Sequence, residues 1–483
     1  RSCGRASAAA GAPAPAPAPR GAALGRGLPG APGGIPHGGP PRGCPRPRGR
    51  PGRRTQGARR APVSPSFPPT DAVPLPRFSP DARRYLAGSC ALGAAATFPL
   101  TLLALYIDQL GASKTEVGWV VSGSSWGNLL AALPAAILVS RLPPSWILTG
   151  SALLTGFCYL AQPWPQALWA LFALNLAGGF AFAIHQVGGA PLLYRHSAPG
   201  ERPAVFALSE AARMAASVLG ALAAGWLASG LSQQLRDPRL GHALALACGG
   251  ALPLLAAIPY ARLEDRSVRT RAAQRLFGGL LRHQGLVLRF ALPQLLIAVG
   301  SGMTIPFMSL YFRERFGFHS DAVGMLFAAG QVGMTLGFLG GPALHRRLGY
   351  VRAIALAQFA SLPWFAVLAV THWAPLAVVA YLLRTALMNA AHPLMKAFLM
   401  ESAPEELREA QNALLMLLYG LGWVVGPWLG GLVLDRSGGN YGALMAVTIA
   451  FYIVGTAVFV WRLSSVERQL RGYRGPASPS YSP

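Results

Sequence analysis

The chain has 483 residues, 52% hydrophobic and only 12% charged, with a formal net charge of +25 and a mean hydropathy of +0.38. A water-facing surface draws on roughly 25% charged residues, so the composition excludes a soluble enzyme, a secreted disulfide scaffold and a coiled coil. Apolar runs of about 20 residues, each long enough to cross a bilayer, recur from residue 85 to residue 462, which defines an all-α membrane protein.

Residues 1–82 are Pro/Gly/Ala/Arg low complexity and are expected to be disordered. They hold thirteen arginines before residue 81 against one acid, Asp71, and so supply about half of the net charge. No pattern of stacking aromatics accompanies that charge, so no nucleic-acid partner is expected, and there is no apolar core of a signal peptide. The first methionine is Met214. The expectation is therefore a mis-assigned gene start, with the true start at a non-AUG codon read as Val63, Val73 or Leu75. The cysteines (Cys3, Cys44, Cys90, Cys158 and Cys248) form no C-x-x-C pair and no metal spacing, so neither a metal nor a cofactor is expected.

Twelve spans are expected, at 85–108, 116–139, 146–162, 166–190, 204–230, 240–260, 287–312, 322–344, 351–370, 375–399, 411–434 and 440–462. Span one ends at Asp108 and span two opens at Glu116, an acid at a helix N-terminus. Span four carries Asn175, His185 and Gln186, with Asn175 and Gln186 eleven residues apart and hence on one face. Span five opens with Glu210 and Arg213, spaced for an i,i+3 ion pair. Span eight carries Gln331. Span ten is the richest, with Thr385, Asn389, His392 and Lys396 at spacings that share a helical face and Arg384 about 100° away. Pro99 in span one and Pro306 in span seven are 207 residues apart. Trp146, Trp164, Trp373 and Trp461 fall near span ends, where interfacial aromatics sit.

Arg and Lys concentrate in the segments that face the cytoplasm if both termini lie inside, as the positive-inside rule requires. An internal repeat divides the chain. Ser197–Glu201 recurs at Ser402–Glu406, Arg141 at Arg347, Gly111 and Gly118 at Gly317 and Gly324, and Gly220 and Gly225 at Gly426 and Gly431, at offsets of 205 or 206. The chain then reads as two pseudo-symmetric six-helix bundles, 83–260 and 287–462. A basic cytoplasmic linker, 261–286, joins them, and a cytoplasmic tail, 463–483, follows.

Two such halves resemble the major facilitator superfamily over about 80% of the chain. The loop from Leu344 to Arg352 is similar to the family's G-x-L-x-D-R-x-G-R-R loop. It keeps Leu344, Arg347, Gly349 and Arg352 but has Arg346 at the acidic position. The copy after span two keeps Leu138 and Arg141, with Ser140 and Pro143 at the acid and the glycine. Gly422, Gly426, Pro427, Gly430 and Gly431 fit the G-x-x-x-G-P-x-x-G-G pattern that drug:proton antiporters carry in span five; here it lies in span eleven. Its glycines read either as a close helix crossing or as an antiport feature.

The resemblance implies a cavity lined by spans one, four, seven and ten. Arg384, Asn389, His392, Asn175, Gln186 and Gln331 become candidate substrate-binding residues, and Glu210, Asp108 and His185 candidate proton carriers. No phosphate-binding glycine loop is present, so ATP is not the energy source. The leading expectation is a monomeric secondary transporter exchanging protons for hydrophobic or amphipathic compounds, an efflux system of the cell membrane. The alternatives are proton-coupled uptake of a sugar or small polar metabolite, and a non-transporting sensor on the same fold. A small-molecule substrate, protons and the lipid bilayer are the expected partners.

Overall fold

The computed structural model describes residues 78–197, 201–264, 284–402 and 408–473. The expected tail before residue 78, most of the basic linker, the last ten residues and the centres of the Ser197/Ser402 repeat match lie outside the described residues. The described chain is helical: α1 (Pro80–Gln109), α2 (Lys114–Arg141), α3 (Pro144–Ala161), α4 (Leu168–Arg195), α5 (Arg202–Leu235), α6 (Pro238–Ala261), α7 (Gln284–Thr304), α8 (Met308–Phe316), α9 (Ser320–Leu348), α10 (Tyr350–Val370), α11 (Ala374–Ser402), α12 (Arg408–Arg436) and α13 (Tyr441–Tyr473). With α7 and α8 taken as one span, eleven helices are long and apolar enough to cross a membrane; α3, at 18 residues, is not among them.

Local chemistry sets the helix ends. Ser113 and Glu116 form a reciprocal capping box at the start of α2, and Asp237 accepts from the backbone of Arg239 and Leu240 before Pro238 opens α6. Gly349, at φ +80°, makes the turn from α9 into α10, a conformation that favours glycine. Several ends differ from the sequence reading by four residues or more, α4 and α5 each running five further, and two of the differences have a visible cap. α1 starts at Pro80, inside the expected tail, because Ser79 caps it by accepting from the Ala82 amide. α13 runs eleven residues past 462, and its Glu467 accepts from the backbone amides of Tyr350 and Val351. That carboxylate caps α10, so the segment expected as tail belongs in part to the helical body.

The two prolines also part company. Pro306 sits in a 3-10 turn, Ile305–Phe307, that divides α7 from α8, whereas α1 continues through Pro99. Around Pro99, Thr97 donates to the Ala94 carbonyl (2.6 Å) and Thr101 to that of Thr97 (2.7 Å). Hydroxyls of this kind satisfy backbone groups near an in-helix proline.

Helix pairing repeats along the chain. α1 packs on α5 and α6, α2 on α4, and α3 on α4 and α6; correspondingly α7 packs on α12 and α13, α9 on α11, and α10 on α11 and α13. Tyr106 donates to the Pro163 carbonyl and Tyr311 to that of Leu368, both at 2.6 Å and 205 residues apart. Across the two sets, α2 meets α12 and α5 meets α9. Large apolar side chains such as Leu339, Leu219, Phe157 and Trp169 face outward, as do Trp146, Trp164, Trp373 and Trp461. Such a surface suits lipid rather than water.

Candidate functional site

A cavity of about 260 Å³ opens between α1, α4 and α5, lined by Tyr85, Ser89, Phe182, His185, Gln186, Ser209, Glu210 and Arg213 among others. Glycines bring its walls together: a Cβ on Gly189 would lie 2.1 Å from the Tyr85 hydroxyl, and one on Gly93 2.9 Å from the Arg213 side chain. Tyr85 lies parallel to the His185 ring at 6.1 Å, and His185 Nε2 is 2.7 Å from the Tyr260 hydroxyl. Arg213 donates through Nε (3.0 Å) and Nη2 to the two oxygens of Glu210, whose side chain remains 58% exposed. The cavity thus joins four residues singled out from sequence, His185, Gln186 and Glu210 with its expected ion-pair partner Arg213. Tyr85, Ser89 and Tyr260 were missed, although Tyr85 and Ser89 share a helical face one turn apart.

The repeat carries this wall onto the second half. Gln186 corresponds to His392 and Arg213 to Tyr419, each 206 residues on. His392 is exposed, and its ring meets that of Tyr419 edge-on at 5.8 Å; Tyr419 lies 6.4 Å from Trp423. Asn389 donates to the Thr385 carbonyl (2.8 Å), and Gln331 is half-buried on α9. Arg384 is 4% exposed; its Nη2 donates to the Tyr452 hydroxyl (2.7 Å) and its guanidinium carbon stands 4.7 Å from the Phe365 ring centre.

Other residues singled out from sequence lie apart from the cavity. Asn175 is 3% exposed, donates to the Val120 and Val121 carbonyls and accepts from Gln162. Its hydrogen-bonding capacity is used in joining α4 to α2, beside the tight Gly123, Gly127 and Gly179 contacts. The face it shares with Gln186 therefore changes environment along α4. Asp108 accepts from Lys114 Nζ (2.6 Å), which also donates to Glu314; Glu314 in turn accepts from the Tyr441 hydroxyl (2.9 Å). Arg141, Arg347 and Arg352 are exposed at helix ends.

The glycine pattern of α12 faces two ways. Gly422, Gly426 and Gly430 press on Ala298, Gly302 and Met303 of α7, while Gly431 and Pro427 meet Lys114 and Gly118 of α2. A Cβ on Gly118 would lie 2.0 Å from the Pro427 carbonyl oxygen. Asp435 completes this seam by accepting from the Lys114 amide (3.0 Å) and from the Thr115 amide and hydroxyl (2.8 and 2.6 Å). The α5/α9 seam is its counterpart: Gly225 meets Ser320 and Gly324, and Gly324 meets Ala221. Both seams lie at the helix ends that carry the 110–113 and 317–319 loops.

Repeated pairing of long apolar helices, with a polar cavity between α1, α4 and α5, is the architecture of a multi-span membrane protein. The Major Facilitator Superfamily model matches residues 85–414 and, in a second match, 290–480. The chain belongs to that superfamily and is a multi-pass membrane transporter, not an enzyme. Among solved structures it is similar to the nucleoside transporter NupG (TM-score 0.66, 18% identity, 79% of this chain and 99% of that one). A bacterial homolog of the human lysosomal transporter Spinster, inward-facing and unoccupied, gives TM-score 0.68 at 13% identity, over 83% and 98% of the two chains. A D-xylose–proton symporter gives 0.60 at 14%, over 78% and 96%. No curated protein matches the chain.

Proposed function

We propose that the chain is a secondary transporter that couples the movement of a small, polar, hydrogen-bonding solute to protons by alternating access. The polar lining of the α1/α4/α5 cavity carries this reading. Its volume falls below the ~300 Å³ lower end of typical ligand pockets, which suits a small solute. The same lining favours uptake or exchange of a polar metabolite over efflux of a hydrophobic compound, the leading expectation from sequence. Nucleoside and xylose transporters share the fold, which is compatible with this choice.

In this reading both termini are cytoplasmic, the two seams close the outer face, and the cavity opens inward. Two six-helix halves rock about the seams, and the carrier works as a monomer. Glu210 is the proton carrier. Its carboxylate lies in the cavity against Arg213, so protonation frees the guanidinium and deprotonation reclaims it. His185 shapes the cavity wall through Tyr85 and Tyr260. Asp108 acts in closure rather than in coupling.

Proteoliposomes of known orientation, loaded with a pH dye and given a panel of polar solutes and amphipathic compounds, test the reading. A pH change driven by a polar solute, reduced at least tenfold in Glu210→Gln while solute counterflow persists, is the expected result. The sign of the change gives the direction: interior acidification means symport and alkalinisation means antiport. A response confined to amphipathic compounds would restore the efflux reading, and full proton coupling in Glu210→Gln would overturn its role.

A further inference from the structure

The second half holds an excess of buried donors. Nε of Arg384 is buried without a hydrogen-bond partner, and Nε1 of Trp423 and the Thr385 hydroxyl are buried with no well-formed hydrogen bond, each having only a tyrosine side chain (Tyr419 and Tyr381) nearby. Of these, Arg384 is the most informative. A guanidinium held at 4% exposure on a spanning helix is costly, and among the described residues no carboxylate lies within ion-pairing distance of it. Its contacts are neutral: the Tyr452 hydroxyl, which is itself 2.8 Å from the Ser301 hydroxyl, and the Phe365 and Tyr452 rings. Aromatic faces offset part of that cost, but they leave Nε without an acceptor. In native structures a buried unsatisfied donor usually signals a water, an ion or a ligand.

The cluster is confined to one half. The repeat position of Arg384 is Gly178, where a Cβ would come 3.1 Å from the Tyr159 ring, and that of Trp423 is Ser217, which donates to the Gly93 and Arg213 carbonyls. At these positions the buried charge and the surplus donors belong to the second half, which also carries the aromatic Tyr419–Trp423 pair.

We propose that Arg384, with Trp423 and Thr385, forms an anion subsite, and that the solute is a small organic carboxylate. The inference rests on the carrier reading above and names its substrate class. A carboxylate supplies what the cluster lacks, a negative charge and several lone pairs in one plane, and the guanidinium fork matches that geometry. The neighbouring tyrosine and tryptophan rings are neutral and offer no second charge.

The test is thermal stabilisation of the full chain in lipid nanodiscs by benzoate and lactate, against benzamide, lactamide and inorganic phosphate. Either acid is expected to raise the melting temperature saturably, with its amide at least tenfold weaker. Arg384→Gln should abolish the difference between acid and amide, and Arg384→Lys, which keeps the charge without the fork, should weaken the acid about tenfold. Trp423→Phe, which keeps the ring and loses the donor, should weaken it at least threefold. Equal shifts by acid and amide, an unchanged response in Arg384→Gln and Arg384→Lys, or stabilisation by phosphate alone would overturn the subsite. Solute counterflow in proteoliposomes separates the two readings. Glu210-dependent exchange of a neutral solute without carboxylate binding overturns only the subsite. Carboxylate binding with no exchange of any solute overturns the transport reading and leaves the subsite standing.

Discussion

The two seams between the halves are built from the same repeat and yet bonded oppositely. Adding 206 to Thr115, Gly118, Ala221, Gly225 and Ser229 gives Asp321, Gly324, Pro427, Gly431 and Asp435, so the contacts of α2 with α12 map onto those of α9 with α5. At the α2/α12 seam the acid, Asp435, lies on α12 and the hydroxyl, Thr115, on α2. At the α5/α9 seam the hydroxyl, Ser229, lies on α5 and accepts from the Asp321 amide (2.9 Å) while donating to its carboxylate (3.0 Å). The charge sits on opposite members of equivalent pairs. Asp108 and Glu314 are also repeat equivalents, and both bind the one lysine, Lys114; its own equivalent, Ser320, pairs with the His242 ring (2.8 Å) instead. Small residues fix the shared geometry, and the polar groups give one seam a neighbouring lysine ion-pair cluster while the other has an acid bonded to a hydroxyl alone.

The largest expected effect comes from breaking the geometry both seams share. Gly431→Leu would drive a side chain toward the Lys114 carbonyl, where even a Cβ would lie 2.2 Å away. Overpacking of this kind costs about 1–3 kcal/mol, and counterflow should fall below a tenth of wild type. Retained transport with an unchanged melting temperature would show that the seam tolerates separation.

Next comes the ionic seam alone. Lys114→Met leaves Asp108 and Glu314 without their shared cation, and like charges then push these helix ends apart. The distance between spin labels at Ala112 and Ser437 should lengthen, while Lys114→Arg should keep the short distance. A double-mutant cycle sharpens the comparison further. Thr115→Asp alone sets two acids face to face and Asp435→Thr alone removes the acceptor; each should cost stability. The two together recreate the polarity of the α5/α9 pair and should recover at least half of the combined loss, a coupling that independent sites would not show. The smallest effect belongs to the α5/α9 seam: Ser229→Ala should lower stability by about 0.5–1.5 kcal/mol, read from chemical denaturation, with transport nearly unchanged.

Much of the fold was legible beforehand, since apolar runs report span positions and near-constant offsets report the repeat. Element ends were read to within about five residues except at the Glu467 end of α13; caps account for that end and for the start of α1 at Ser79. The site was half legible. His185, Gln186 and Glu210 stood out as polar groups in spans and meet in one cavity. Asn175 stood out for the same reason, but α2 takes up its hydrogen bonds, and neither Asp435 nor Tyr85 carried a signal of its own.

The sequence by itself determined that this is a two-fold repeated, many-span membrane protein with small residues at matching positions. Hydrophobic length and glycine spacing are properties of a segment and survive without its neighbours. The tertiary structure alone decided which acid meets which donor, because Thr115 and Asp435 are 320 residues apart and their pairing depends on two helices from different halves coming within hydrogen-bond reach. It also decided that Arg384 lies among aromatic rings with no carboxylate of the described residues beside it, since the cost or use of a buried charge is set by whatever the other helices bring to it.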